Sequence, residues 1–121
     1  MLLDTSFFID LADELQRRTP GPCAAFLRAH RHVPKRVSVV TLGEYAVGAT
    51  ARETIRFFRG YQPVALGAAT ALAGGRLQAK LPFEMGENDL WIAATALRLG
   101  LPVVTRDKAF ARVPGLNVIR Y

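Results

Sequence analysis

The sequence predicts an α/β fold built on a central parallel sheet of about five short strands. Three observations point there. Short apolar or β-branched runs alternate with segments of helical period, the sequence form of repeated strand–helix–strand units. The 121 residues leave room for a single domain, residues 1–121, burying on the order of two-thirds of its unfolded surface in one core. Half of the residues are hydrophobic and 21% are charged, the composition of a folded globular chain rather than a disordered or fibrous one.

Each element has a local reason. Leu2-Leu3 reads as the first strand. Ser6 to Arg17 follows as a helix with Phe8, Leu11 and Leu15 facing inward, and Pro20-Gly21-Pro22 ends it before a second helix through Phe26 and Leu27. Val37 to Thr41 supplies the second strand. Thr41-Leu-Gly-Glu44 and Thr50-Ala-Arg-Glu53 each set a hydroxyl three residues ahead of a glutamate, the capping-box form of a helix start. Pro63 to Leu66 is the third strand, and Gly67 to Leu81 is Ala-rich and helical. Within it Gly74-Gly75 predicts a break or kink, since each glycine costs about 1 kcal/mol relative to Ala. Asp89 to Leu99 is the clearest helix, introduced by Gly86-Glu87-Asn88 with Asn88 as N-cap, and closed by Gly100 with Pro102 beyond. Pro102 to Thr105 and Asn117 to Arg120 complete the strands. There is no internal repeat, low-complexity tract or Gly-rich phosphate loop.

Charge narrows the partner. Sixteen basic side chains against 10 acidic ones leave a formal +6 and a pI near 10.2, which favours a polyanion or an acidic protein. Arg17, Arg18, Arg28, His30, Arg31, His32, Lys35 and Arg36 crowd the first third, and Arg52, Arg56 and Arg59 recur at helical spacing. A solvated face explains any one group; the combined surplus tilts the reading toward nucleic acid. Cys23 is alone, so no intrachain disulfide forms and a reducing, cytoplasmic setting is expected. Asp4 and Asp10 interrupt the apolar N-terminus, arguing against a secretory leader. No apolar run approaches the roughly 20 residues of a membrane span. His30 and His32 lack cysteine partners, which argues against zinc.

The chemistry is expected where acids meet the strand ends, because open parallel sheets bind ligands at the carboxyl ends of their strands. Asp4 ends the first strand, Glu44 stands one turn past the second, Asp89 opens the helix feeding the fourth, and Asp107 follows the fourth. All four are expected at helix beginnings, where a carboxylate commonly caps free amides or meets the helix dipole. For any one of them that role suffices. Glu44 is explained by its capping box and Asp107 by a short final helix. Capping does not require four acids on one sheet edge in a chain otherwise short of them. Carboxylates converging on a small volume stay ionised when a cation shares the site. Oxygen donors without His or Cys suit Mg²⁺ or Mn²⁺. In basic surroundings such a site points to phosphodiester hydrolysis, with an acidified water and a neutralised phosphate.

At this point the residues resemble a known family. Met1-Leu-Leu-Asp4-Thr5-Ser6-Phe-Phe-Ile-Asp10, Val39-Val-Thr41-Leu-Gly-Glu44, Gly86-Glu-Asn-Asp89-Leu-Trp-Ile-Ala-Ala94, and Val103-Val-Thr105-Arg-Asp107-Lys-Ala-Phe110 with Val113-Pro-Gly-Leu116 resemble, in order and spacing, the conserved blocks of PIN domains. Within that family the resemblance is to VapC-type toxins. It implies a three-layer α/β/α fold and a Mg²⁺- or Mn²⁺-dependent endoribonuclease. The metal site would be formed by Asp4, Glu44, Asp89 and Asp107, supported by hydroxyls of Thr5, Ser6 or Thr105. It also implies a homodimer and a VapB-type antitoxin whose tail covers the groove and can place an arginine among the acids. The middle, Gly60 to Phe83, matches least well.

Other residues are weighed against these. Arg106, Lys108 and Arg112 flank the last aspartate and are candidates for RNA phosphates, with a solvated surface as the alternative. Asp10 reads as a surface or supporting residue, and Trp91, in an apolar helix, as core rather than a base-stacking platform. Three rival functions remain: a non-toxin PIN nuclease of RNA processing, a non-catalytic RNA-binding module on the same fold, and an aspartyl-phosphate phosphatase. The last usually needs a second Asp two residues after the first, where this chain has Ser6.

Overall fold

A computed structural model describes residues 1–121. The elements are β1 (Leu2–Leu3), α1 (Thr5–Arg17), α2 (Pro22–Ala29), β2 (Arg36–Ser38), α3 (Val39–Ala46), α4 (Ala51–Phe57), β3 (Gln62–Val64), α5 (Ala68–Lys80), α6 (Glu87–Leu99), β4 (Val103–Val104) and β5 (Val118–Ile119), with a 3₁₀ turn over Lys108–Arg112. The sheet has the order β3-β2-β1-β4-β5 and every pairing is parallel. The chain steps outward from β1 to β2 and β3, then returns through α5 and α6 to lay β4 on the other side of β1. The order therefore reverses between β1 and β4, and a crevice opens at their carboxyl ends.

The strands are short but sit between two apolar layers. Leu2 and Val103 face one core cluster with Met85, Leu90, Ile92, Ala93, Ala96 and Phe110. Leu3, Val37 and Val104 face the opposite cluster with Phe7, Phe8, Leu11, Cys23, Phe26 and Phe58. Neighbouring strand residues thus serve opposite faces, as a period of two requires, and the result is a three-layer α/β/α architecture. Cys23 is buried and free. No helix is long and apolar enough to cross a membrane.

Several expectations are corrected. Leu15 is 60% exposed, and Phe7 takes the inward place on α1. The second strand ends at Ser38 rather than Thr41, because Ser38 caps α3 by accepting the Val40 amide. Thr41 consequently lies inside α3, and the first capping box does not form; the second, Thr50 with Glu53, does. Helix α5 runs unbroken through Gly74-Gly75. The Trp91 ring lies against Gly74, where a Cβ would come within 2.5 Å of Cζ3, so the glycine is spent on close helix packing. Gly86, not Asn88, is the N-cap of α6, and Asn88 stands exposed in its first turn. Arg59 falls beyond α4.

Candidate active site

The first acid sits at the reversal of strand order. Asp4 follows β1 at the N-cap position of α1, yet its side chain makes no capping bond. It is 3% exposed. Two hydroxyls converge on one of its oxygens: Thr105 Oγ1 donates to Oδ2 at 2.8 Å and Ser6 Oγ at 2.9 Å. Its other oxygen, Oδ1, is buried without any hydrogen-bond partner. An unpartnered buried carboxylate oxygen is costly unless something absent from the chain completes it. Burial pushes the Asp4 carboxyl up, opposed by the Thr105 and Ser6 hydroxyls and then by the nearby Thr5 and Ser6 amides.

Glu44 reaches the same region from the sixth position of the eight-residue α3, not from a helix beginning. Thr5 Oγ1 donates to Glu44 Oε1 at 2.7 Å, and the Thr41 hydroxyl lies 3.0 Å from Thr5 Oγ1. Since Thr5 spends its proton on Glu44, Thr41 is the donor in that contact. Thr41 is fully buried. Its spacing suggests a cap; the same three-residue spacing puts it on the face of Glu44 and so in this chain of hydroxyls.

Asp89 lies in the first turn of α6. The approach to that helix is fixed by Gln78, which accepts the Met85 amide at 3.0 Å and donates to the Phe83 carbonyl at 2.8 Å. Burial, and then the charges of Asp4, Asp107 and Glu44, push the Asp89 carboxyl up to about 6. Asp89 is thus the acid whose carboxyl registers the charges of the other three. Asp107 spends Oδ1 on the Ala109 amide at 2.9 Å, capping the 3₁₀ turn as its position suggested, and its own amide donates to Thr105 Oγ1 at 3.0 Å. An open cleft of about 310 Å³ is lined by Glu44, Gly86, Glu87, Asn88 and Asp89, so two of the four predicted acids share its wall.

No three of these carboxylates close around one point as a tight ligand cage. Like charges without a counter-ion hold apart, and Mg²⁺ binds through one or two carboxylates while keeping several waters. An all-oxygen donor set, an orphaned buried Asp4 oxygen and a strained Asp89 fit such an ion. His30 is engaged elsewhere, stacking on Phe26 at the end of α2.

Basic residues divide by location. Arg36 opens β2 and pairs with Leu2, so the crowded basic stretch ends at the amino edge of the sheet, away from the acids. Near the site, Arg106 forms an ion pair with Asp10 at 2.8 Å, Arg112 stacks over the Phe83 ring at 3.8 Å, and Lys108 is exposed. Trp91 packs half-buried against the core. Glu14, for which the sequence carries no capping signal, accepts the amides of Gly21, Cys23 and Ala24 and so caps α2 from outside. A larger cleft, about 540 Å³ between α3, α4 and the edge at β3, is lined by Leu42, Ile55, Phe58 and Tyr61 and contains no acid.

A five-stranded parallel sheet with Asp4 bonded to Thr105 across its β1/β4 reversal defines a class, and the family profile described as "PIN domain" matches residues 1–116. The chain belongs to the PIN-domain family, in its VapC-type branch. It is 34% identical to Ribonuclease VapC4 of Mycobacterium tuberculosis, over 98% of this chain and 94% of that protein. Ribonuclease VapC5 of the same organism is also 34% identical, over 94% and 87%. Among solved structures, VapBC2 from Rickettsia felis bound to a DNA fragment from its promoter superposes with a TM-score of 0.80 at 21% identity, covering 98% and 96%. VapBC-5 from Mycobacterium tuberculosis, of the VapBC family of toxin-antitoxin systems, gives 0.68 at 29% identity, covering 99% and 97%.

Proposed function

We propose that this chain, acting as one domain over residues 1–121, is a Mg²⁺- or Mn²⁺-dependent endoribonuclease and the toxin of a VapBC-type toxin-antitoxin pair. The observation that carries the reading is the buried Asp4 carboxylate with one oxygen unpartnered, supported by the charges of Asp4, Asp107 and Glu44 acting on Asp89. Ribonuclease relatives at 34% identity support it.

Asp4 and Asp89 would hold the ion, with Glu44 and Asp107 reaching it directly or through its waters. When bound, the ion supplies charge neutralisation at the phosphodiester and a water acidified for attack. The chain's own groups do the positioning. Thr105 and Ser6 fix one Asp4 oxygen so that the other faces the site, and Thr5 aims Glu44. Arg106, Lys108 and Arg112 are the proposed contacts to RNA phosphates, extending the positive surplus to the rim of the acids. A homodimer is proposed, together with an antitoxin of the VapB type. The apolar cleft between α3 and α4, with Ile55 70% exposed beside it, suits an apolar segment of that partner.

The test is cleavage of total cellular RNA by wild type and Asp89→Asn in parallel, each with Mg²⁺ and with chelator. Magnesium-dependent cutting by the wild type alone is expected. Cutting by neither, alongside retained RNA binding, would replace the enzyme with a binding module; equal cutting by both would remove Asp89 from the site.

A further inference from the structure

An arginine stands where it could spoil this site. Arg106 lies between Thr105, which bonds Asp4, and Asp107, and its amide is 3.5 Å from Ser6 Oγ, itself bonded to Asp4. A guanidinium is weakly hydrated and forks readily onto carboxylates. Tethered between Asp107 and the hydroxyl that bonds Asp4, it is a built-in competitor for any cation those acids bind.

The structure shows the guanidinium elsewhere. Its Nη1 lies 2.8 Å from Asp10 Oδ1, while Tyr121 donates its hydroxyl to Asp10 Oδ2 at 2.7 Å. Arg120 Nη2 donates to the Arg106 carbonyl at 3.0 Å, so the backbone beneath the side chain is held as well. Ser6 and Asp10 are four residues apart on one face of α1, which sets Asp10 about 6 Å farther along the helix than Ser6. An isolated surface pair contributes little because two free side chains must be ordered to form it. Here Tyr121 and the ring of Phe7, 4.8 Å from the Tyr121 ring, have already ordered the carboxylate, whose side chain is 25% exposed against 57% for Arg106.

We infer that Asp10 is a positioning residue that holds the Arg106 guanidinium clear of Asp4, Glu44, Asp89 and Asp107, keeping that cluster open to a divalent cation. The inference rests on the metal-site reading above. It gives Asp10 a role that needs no contact with metal or RNA, and it leaves the exposed side of Arg106 free to face a phosphate.

The experiment is a manganese titration followed by thermal melting of the full chain, in wild type, Asp10→Asn, Arg106→Gln and the double variant. Asp10→Asn is expected to raise the manganese concentration for half-maximal stabilisation about tenfold, because the released arginine pairs with the acids. Arg106→Gln alone should stay within about twofold of wild type, and so should the double variant, in which no arginine remains to swing in. Asp10→Ala carries the same cycle if the amide weakens the fold. A simple charge effect predicts otherwise: Arg106→Gln would lower the midpoint as much as Asp10→Asn raises it, giving an additive cycle. Additivity, or an unchanged Asp10→Asn, overturns the inference while the metal site stands. A wild type that manganese does not stabilise overturns the metal-site reading itself, and the inference with it.

Discussion

Thr105 donates its hydroxyl to Asp4 Oδ2 at 2.8 Å across 101 residues of chain, joining the ends of two neighbouring parallel strands. The bond decides which Asp4 oxygen is occupied and which remains for a ligand. Thr105→Val keeps the shape and removes the donor. It should cost about 1–3 kcal/mol by leaving a buried acceptor short of a partner and lower RNA cleavage about tenfold, whereas Thr105→Ser should restore most of both. Denaturant melts with parallel cleavage assays check this; a harmless valine would mean that Ser6 alone suffices.

Thr5 and Glu44 form the second such pair, at 2.7 Å. Thr5→Val should lower cleavage about tenfold through a misaimed Glu44, at a stability cost of about 1 kcal/mol. Thr5→Ser should retain activity. If Thr5→Val cleaves normally, Glu44 does not depend on this hydroxyl.

Asp89 predicts a pH dependence of known sign. Its carboxyl is raised from 3.8 to about 6 in the folded chain. The folded state therefore binds the extra proton between these values, so the stability linked to it is present at low pH and is lost as pH rises through about 6. Asp89→Asn should flatten this part of the metal-free stability profile and raise stability at pH 7 by about 1 kcal/mol, after discounting for solvent screening of a half-exposed group. That corresponds to a few degrees in melting temperature, on the order of 4 °C. An unchanged or lower melting point would count against shared strain.

Magnesium should act oppositely on the same two proteins. At about 100 times its Kd it should stabilise the wild type by about 2.7 kcal/mol by mass action, and barely affect Asp89→Asn. Equal shifts would mark nonspecific ion effects.

Gly74 and Gly75 are adjacent and should respond in opposite directions. A Cβ at Gly74 would meet Trp91 Cζ3 at 2.5 Å, whereas one at Gly75 meets nothing within 4 Å. Gly74→Ala should destabilise by about 1–3 kcal/mol through overpacking, and Gly75→Ala should stabilise by about 0.5–1 kcal/mol through helix propensity. Urea unfolding of the two variants checks both; matching signs would refute the packing account.

What could be read in the chain was local and periodic. Strand and helix order, Asp4 at the end of β1, the Thr50–Glu53 box and the Gly100 stop all follow from short-range patterns. The misreadings share a cause. Thr41 resembled a cap because spacing to Glu44 was the visible signal, but Ser38 already serves that end. Gly74-Gly75 resembled a break because propensity ignores the indole that fills the space. Leu15 resembled core because a helical period does not reveal how far along α1 the packing extends.

The sequence by itself determined the fold class and which acids are available, since alternation, period and residue chemistry are properties of neighbours along the chain. Only the tertiary structure decided that Asp4 keeps one oxygen unpartnered, that Thr5 and Thr41 line up on Glu44, and that Arg106 turns to Asp10 and Tyr121. Those arrangements depend on the parallel register of β1 with β2 and β4. That register brings hydroxyls, carboxylates and a guanidinium from distant segments within hydrogen-bond reach, and such bonds act over about 3 Å, whatever the separation in sequence.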